Sequence, residues 1–204
     1  MFHSQMINIK NKISEEPYLL FYDYYEAAVK ANQFAVEAIA ISSFNKNKNE
    51  VESRFVNLKY INNDTWTFFS NYKSNKANNF RSHNQISALF YWSSTNTQVR
   101  IKAHILKSEA SLSDQHFKER SMKKNALAIS SEQSNVISSF DDVEKKYNEA
   151  LNKISPVTKR PDYWGGYSFK PYYFEFWKGH EHRLNKRVSF ELVKKSWNKN
   201  ILEP

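Results

Sequence analysis

Three stretches of this 204-residue chain carry residue types suited to chemistry. The first joins Arg54-Phe-Val-Asn-Leu-Lys59 to Phe68-Phe-Ser-Asn-Tyr-Lys-Ser-Asn-Lys76. Arg offers a phosphate a bidentate fork, Lys a point charge, and the Ser70 hydroxyl a neutral hydrogen bond. Cations at strand ends are ordinarily solvated, and alone these residues read that way. Arg54 and Lys59 also point to opposite faces of a regular strand, so one site takes both only where the strand bulges or two pockets meet. The second stretch is Gln98, with Glu132-Gln133-Ser134 further on. A carboxamide carries donors and an acceptor, which suits the polar edge of a ring ligand or a plain backbone contact. The third runs Pro161-Asp-Tyr-Trp164-Gly-Gly-Tyr167, Phe174-Glu-Phe-Trp177-Lys-Gly179 and His182-Arg-Leu-Asn-Lys-Arg187. The chain has only three glycines, and two are adjacent at 165 and 166. They mark either backbone with φ > 0 or a close approach of chain to chain. His180 and His182 alternate on an expected strand without a third ligand, so they read as solvated and no metal is expected.

These residues need elements to position them. Pro17 precedes a helix over 18–33 that places Leu20, Tyr24, Ala27, Ala28 and Ala31 on one face. Strands are expected over 35–44, 51–61, 65–72, 86–92 and 97–109, with a hairpin turn at 45–50 and a short helix or turn at 75–83. Short connections between them predict an antiparallel sheet curling towards a barrel. From Ser113 to about Ile154 the pattern turns helical, with Ser113 or Asp114 as N-cap. Val143, Tyr147, Ala150, Leu151 and Ile154 share a face there. A loop is expected over 155–167, then strands over 172–177, 187–193 and 196–202. The expectation is one α+β domain.

Composition narrows the function classes. The 15 Phe, 12 Tyr and 5 Trp favour strands and an aromatic contact surface. The absence of Cys excludes disulfides, zinc–thiolate sites and thiol catalysis. No segment approaches the roughly 18 apolar residues of a membrane span, and the N-terminus lacks a signal-peptide core, so a cytoplasmic protein is expected. The net charge of +9 is diffuse and often beside Asn. That pattern suits attraction of small phosphorylated ligands better than a nucleic-acid groove.

Taken in order, Arg54-x-Val-x-Leu-Lys59, Phe68-Phe-Ser-Asn-Tyr-x-Ser-x-Lys76, Gln98-Val-Arg100, Phe117-x-x-Arg120, Glu132-Gln-Ser134, Pro161-x-x-Trp-Gly-Gly-Tyr167 and Glu175-Phe-Trp-x-Gly-x-x-His-Arg-Leu-x-x-Arg187 resemble the pyridoxamine 5'-phosphate oxidase family. The resemblance runs from about Pro17 to Pro204. It implies a homodimeric, FMN-binding split β-barrel with flanking helices over 17–204, preceded by a flexible segment over 1–16. Two FMN sites would lie at the subunit interface. By resemblance, Arg54 and Lys76 would contact the FMN phosphate, with Ser70 nearby, Val56 and Phe69 beside the flavin, and Lys59 close to flavin and substrate. Gln98 would meet the ring's polar edge. Gln133, Ser134, Trp177 and Arg187 would come from the partner subunit. Asn75 stands where the family has Arg. The implied reaction passes hydride from a pyridoxyl carbon to the flavin, and O2 reoxidises it to give hydrogen peroxide.

The substrate side matches the family less well. Lys59, Arg120 and Arg183 match its substrate contacts, with Arg183 and Asn185 the implied catalytic pair. His116, Lys124, Asn185 and Lys186 stand where Tyr, Ser, His and Asp are usual. At helical spacing His116, Arg120 and Lys124 would line one face, as a substrate-phosphate grip or as a solvated stripe. Three readings compete: an oxidase making pyridoxal 5'-phosphate, a flavin oxidase for another ring substrate like the phenazine-biosynthesis oxidases, and a non-enzymatic FMN or haem binder.

Overall fold

A computed structural model describes residues 6–204; residues 1–5, the front of the expected flexible segment, lie outside the described residues. Its ten strands are β1 (Asn8–Lys10), β2 (Ala38–Asn45), β3 (Glu50–Asn57), β4 (Tyr60–Asn62), β5 (Thr65–Asn71), β6 (Gln85–Trp92), β7 (Thr97–Lys107), β8 (Trp164–Lys178), β9 (Lys186–Val193) and β10 (Ser196–Leu202). The five helices among the described residues are α1 (Glu16–Lys30), α2 (Asn75–Ser82), α3 (Ala110–Glu119), α4 (Met122–Ser130) and α5 (Phe140–Lys153). The strands join in one sheet in the order β1-β4-β5-β8-β7-β6-β2-β3. From β8 the sheet also continues through β9 to β10. Every pairing is antiparallel except β1 with β4. β3 comes round towards β5, so the sheet curls as the α+β barrel reading requires.

The residues at 6–16 are not wholly free of the sheet. Ile7 is buried, its N–H donates to the Tyr25 hydroxyl at 2.8 Å, and β1 pairs with β4.

Helix α1 turns a different face inward from the one expected. Tyr18, Phe21, Tyr22, Tyr25 and Ala28 are buried, while Ala27 and Ala31 are exposed. Both faces follow the helical period, and the larger rings take the core because each buries far more apolar area than alanine. Phe21 sits 4.5 Å from Trp66, ring centre to ring centre, at the middle of a cluster with Phe90 and Trp92.

Strand β8 departs most from expectation. The 161–167 stretch was expected as loop, yet β8 begins at Trp164 and pairs Gly165 with Ser70 and Gly166 with Phe69. Neither glycine has positive φ. Close approach is the reason for them. A Cβ on Gly165 would lie 2.3 Å from the Tyr72 hydroxyl, and one on Gly166 would lie 2.5 Å from Ser108 Oγ and 2.9 Å from Ser108 Cβ. The helical stretch also begins earlier than expected, with Glu109 as N-cap of α3. Ser113 instead lies inside the helix, where its buried Oγ accepts the Gly166 N–H at 3.0 Å and fastens α3 to β8.

Overpacking at such a contact costs about 1–3 kcal/mol. Gly166→Ala is therefore expected to lower the stability measured by urea denaturation by that amount; an unchanged midpoint would show that the packing of Ser108 and Phe69 against β8 is slack.

Candidate functional site

The expected strand over 51–61 ends at Asn57, and Leu58-Lys59 turn the chain into β4. That break resolves the conflict over facing. Lys59 lines a cavity of about 680 Å³ under α3 and α4, together with Val56, Phe69, Ser70 and Lys76. Arg54 lies behind this wall. Its guanidinium donates to Ser43 Oγ (2.7 Å), the Ile41 carbonyl (3.1 Å) and Glu52 Oε2 (2.9 Å). Asn79 donates to the same serine and carboxylate, each at 3.2 Å.

The buried Lys76 is the unusual group. Its ammonium donates to Ser70 Oγ (3.3 Å) and Ser74 Oγ (3.5 Å), and among the described residues it pairs with no carboxylate. Burial, and then the charge of Arg54, lower its pKa to about 8. A cation buried without an anion is costly, and a phosphate here would remove that cost. Asn75 next to it is the first residue of α2 and is exposed.

A second group of cations reaches the same cavity. His116, Arg120 and Lys124 all line it, though not as one helical stripe. The helix breaks after Glu119: Arg120 is the C-cap of α3 in extended conformation, and Ser121 caps α4 by accepting the Lys124 N–H at 3.4 Å. The three therefore converge from one helix end, a corner and the next helix start. The His116 ring stacks on Phe69 at 3.8 Å, Phe69 lies parallel to Trp164 at 5.5 Å, and the Arg120 guanidinium covers Trp164 at 4.4 Å. Burial, then the charges of Arg120 and Lys59, lower the His116 pKa to about 4, so its ring is neutral near pH 7. Burial also lowers Arg120 to about 10 and pulls Lys59 down.

Gln133 belongs to this same-chain cavity, against the expectation that a partner supplies it. Its Oε1 accepts from Ser70 Oγ and the Asn71 N–H, both at 3.3 Å. Ser134, at φ 78°, lines a smaller cavity of about 200 Å³ that shares Gln133 with the first. The remaining expected residues are elsewhere. Gln98 pairs with Trp177 across β7 and β8, and Trp177 pairs with Arg187 across β8 and β9. Arg187 donates twice to the buried Glu175, at 2.8 and 3.1 Å, and Arg100 reaches the other oxygen of that carboxylate at 2.9 Å. His180 and His182 sit in the β8–β9 loop rather than on a strand. There Asn185 accepts the His180 N–H at 3.1 Å, and Arg183 is exposed at φ 59°. Sequence reasoning missed Tyr60, Glu119 and Trp164 as cavity residues. Scarce glycine pointed at Trp164; nothing in the sequence singled out Tyr60 or Glu119.

The chain is a curled antiparallel sheet whose flanking helices close an aromatic, cation-lined cavity, and comparison with known proteins specifies the class. Residues 19–153 match the family described as "Pyridoxamine 5'-phosphate oxidase", and 164–204 match "Pyridoxine 5'-phosphate oxidase C-terminal dimerisation region". The chain is 31% identical over 192 residues to the pyridoxine/pyridoxamine 5'-phosphate oxidase of Pseudomonas syringae pv. tomato, covering 93% of this chain and 89% of that one. It is 34% identical over 194 residues to the Cytophaga hutchinsonii enzyme of the same name, covering 94% and 89%. Among solved structures, PhzG of Burkholderia lata 383 in complex with tetrahydrophenazine-1-carboxylic acid superposes with a TM-score of 0.87 at 24% identity, covering 95% of each chain. A pyridoxamine 5'-phosphate oxidase-related, FMN-binding protein of Nostoc punctiforme superposes at 0.74 with 12% identity, covering 94% of this chain and all of that one.

The chain belongs to the pyridoxamine 5'-phosphate oxidase family and is an FMN-dependent oxidoreductase. Lys76 and Ser70 fit the FMN phosphate, since they offer a buried ammonium and a hydroxyl with no competing carboxylate. No helix among the described residues is long and apolar enough to cross a membrane.

The depressed Lys76 pKa carries a sign. Between about pH 8 and the unfolded value near 10.4 the unfolded chain holds more protons, so FMN-free protein gains stability as pH rises through that window. Below pH 8 the folded chain bears the full cost of the buried charge. Lys76→Met is expected to stabilise the FMN-free protein at pH 7 by on the order of 2 kcal/mol while weakening FMN affinity. Urea denaturation and an FMN fluorescence titration test the pair; a less stable variant that still binds FMN would refute the assignment.

Proposed function

We propose that the protein is an oxidase of pyridoxine or pyridoxamine 5'-phosphate, yielding pyridoxal 5'-phosphate and reducing O2 to hydrogen peroxide. One observation carries this reading: the cations of one cavity form two groups. Lys76 stands with Ser70 and Ser74 at the β5–α2 end, whereas Lys59, His116, Arg120 and Lys124 gather at the β3–β4 turn and the α3–α4 corner. Two groups suit two anions, the phosphate of the cofactor and that of a substrate. Bound FMN supplies the two-electron acceptor. The chain's own residues supply position. Lys76 and Ser70 would hold the cofactor phosphate, with Arg54 adding its charge from behind the wall. Lys59, Arg120, Lys124 and His116 would hold the substrate phosphate, and the Phe69–Trp164 stack gives an apolar wall that excludes water.

The site is shared between two copies of the chain in this reading. From Gly165, beside Ser70, to Trp177 an extended strand runs roughly 40 Å at about 3.3 Å per residue. Gln98, Trp177, Arg183, Asn185 and Arg187 therefore stand too far along β8 to serve their own chain's cavity. A second copy in a two-fold homodimer would bring them to it, in keeping with the dimerisation region matched at 164–204. Arg183 and Asn185, on an exposed loop, would then face the substrate carbon.

A second reading is oxidation of a different ring substrate. His116, Lys124 and Asn185 support it, since they depart from the family pattern only on the substrate side.

FMN-loaded protein is expected to lose its visible flavin bands when pyridoxine 5'-phosphate or pyridoxamine 5'-phosphate is added without oxygen, and to recover them on aeration. Flavin that binds and is bleached by neither would favour the second reading. Arg120→Ala is expected to raise KM for the bleaching substrate by about tenfold or more with FMN affinity unchanged, since charge-assisted hydrogen bonds are worth about 1.5–3 kcal/mol.

A further inference from the structure

Tyr60 lies at the start of β4 and lines the cavity beside Lys59. Its hydroxyl is 2.7 Å from His116 Nδ1, with the two rings edge to face at 87°. The same hydroxyl is 3.4 Å from Glu119 Oε2, a carboxylate on the exposed side of α3 that already accepts from Gln115 at 2.9 Å. A phenol has one proton to give. At 3.4 Å the Glu119 contact lies beyond the range of roughly 2.5–3.0 Å for O–H···O hydrogen bonds, so the phenol proton is assigned to the 2.7 Å contact with His116 Nδ1. The other ring nitrogen of His116, Nε2, makes no hydrogen bond within the described chain, and the ring stands in the cavity wall. Phe69 stacked at 3.8 Å on its face and Tyr60 at its edge leave the ring no freedom to flip.

We infer that Tyr60 is a positioning residue: by donating to His116 Nδ1 it fixes the proton on Nε2, so that the cavity presents a neutral N–H donor to the anionic group of the substrate. The inference rests on the proposed use of this end of the cavity for the substrate's phosphate. It assigns Tyr60 a role that its exposure and neighbours alone would not suggest.

The groups around the ring explain why a tautomer, rather than a charge, is what needs control. Lys59 approaches from the β3–β4 turn, Arg120 from the α3–α4 corner, and Lys124 from α4, with Glu119 the one carboxylate on α3 facing the ring. Burial first, and then three cations against one anion, keep the imidazole neutral. A neutral imidazole has one donor and one acceptor, and which nitrogen carries the proton depends on the partner of the other. With the wrong tautomer, a lone pair would face the phosphate oxygens and repel them. With the right one, the site has three cations and a short neutral donor, a set suited to a dianionic phosphate ester.

The test uses the full chain loaded with FMN and labelled with 15N in its histidines, with His116 assigned by the signal missing in His116→Gln. Long-range proton–nitrogen correlation at pH 7 is expected to show His116 protonated at Nε2 alone, and Tyr60→Phe is expected to give a mixture of tautomers. With pyridoxine 5'-phosphate, Tyr60→Phe is expected to raise KM about fivefold, the worth of an ordinary hydrogen bond, with kcat and FMN affinity retained. Adding Tyr60→Phe to His116→Gln should change KM no further, because the tyrosine acts through the histidine. Protonation at Nδ1 in the unsubstituted protein would overturn the inference whatever the substrate proves to be. An unchanged KM in Tyr60→Phe, with pyridoxine 5'-phosphate still bleaching the flavin, would overturn it and leave the proposed function standing.

Discussion

The closeness of α3 to β8 is the constraint on which the cavity depends. Two adjacent residues without side chains, Gly165 and Gly166, let Tyr72, Ser108 and Ser113 press against the strand. The Ser113–Gly166 hydrogen bond then fixes the height of the helix above the sheet. At that height Phe117 meets Trp164 edge to face at 5.6 Å, and His116, one residue earlier, reaches Phe69. Phe69 and Ser70 sit opposite the two glycines on β5. The contact that needs glycine thus also sets the distance between the wall of the cavity and its lid. A side chain at Gly165 would crowd Tyr72 and Ser113 of α3, and one at Gly166 would crowd Ser108, just before α3, and Phe69 beneath His116.

Electrostatics follow from the same packing. Bringing α3 and α4 down over β3 and β5 puts Lys59, Lys76, Arg120 and Lys124 around one cavity. Stability alone would not choose this arrangement, because burial lowers the pKa of Lys59, Lys76, His116 and Arg120 alike. Glu52 offsets part of the charge on Arg54, and the Trp164 face partly compensates Arg120. Lys76 has only hydroxyls. An anion bound beside these cations would relieve that cost.

Much of this was legible in the chain, and the gaps have physical causes. The antiparallel sheet and the β2–β3 and β6–β7 hairpins followed from apolar runs separated by polar turns. The matched motifs held some of the residues that line the cavity, Lys59, Ser70, Lys76, Arg120 and Gln133 among them, and others that lie away from it, such as Gln98 and Trp177. The errors came where a local pattern has two solutions and distant contacts choose between them. In α1 two faces share the helical period, and the aromatic one won because it meets Trp66 and Phe90. Pairing to β5 on one side and β7 on the other converted an apparent loop at 164–167 into strand. Residues 116–124 read as one continuous helix because no proline or glycine marks the corner at Arg120 and Ser121. Gln133 is distant in sequence from Ser70, and only the folded chain joins them. Tyr60 was invisible for a simpler reason: its role depends on one hydroxyl-to-nitrogen distance that no sequence pattern encodes.

Strand β8 also explains why one chain alone makes half of the proposed site. Its first residues form the floor beneath the cations, and its last carry Trp177, the neighbour of Gln98 and Arg187. The two ends have different electrostatic logic. At the first, cations stand short of anions. At the second, the buried Glu175 is pushed up by burial but held below the usual carboxylate range by hydrogen bonds from Arg187 and Tyr173 and by the charge of Arg100. That carboxylate accepts two hydrogen bonds from Arg187, and the Glu203 carbonyl accepts a third, so the guanidinium is held in place. In the proposed reading, the far end of β8 would meet the edge of the flavin ring and the near end its phosphate. A flavin needs both, a fixed edge for the ring and a charge for the tail, and a single extended strand offers them at opposite ends. Two copies related by a two-fold axis would bring one of each together twice.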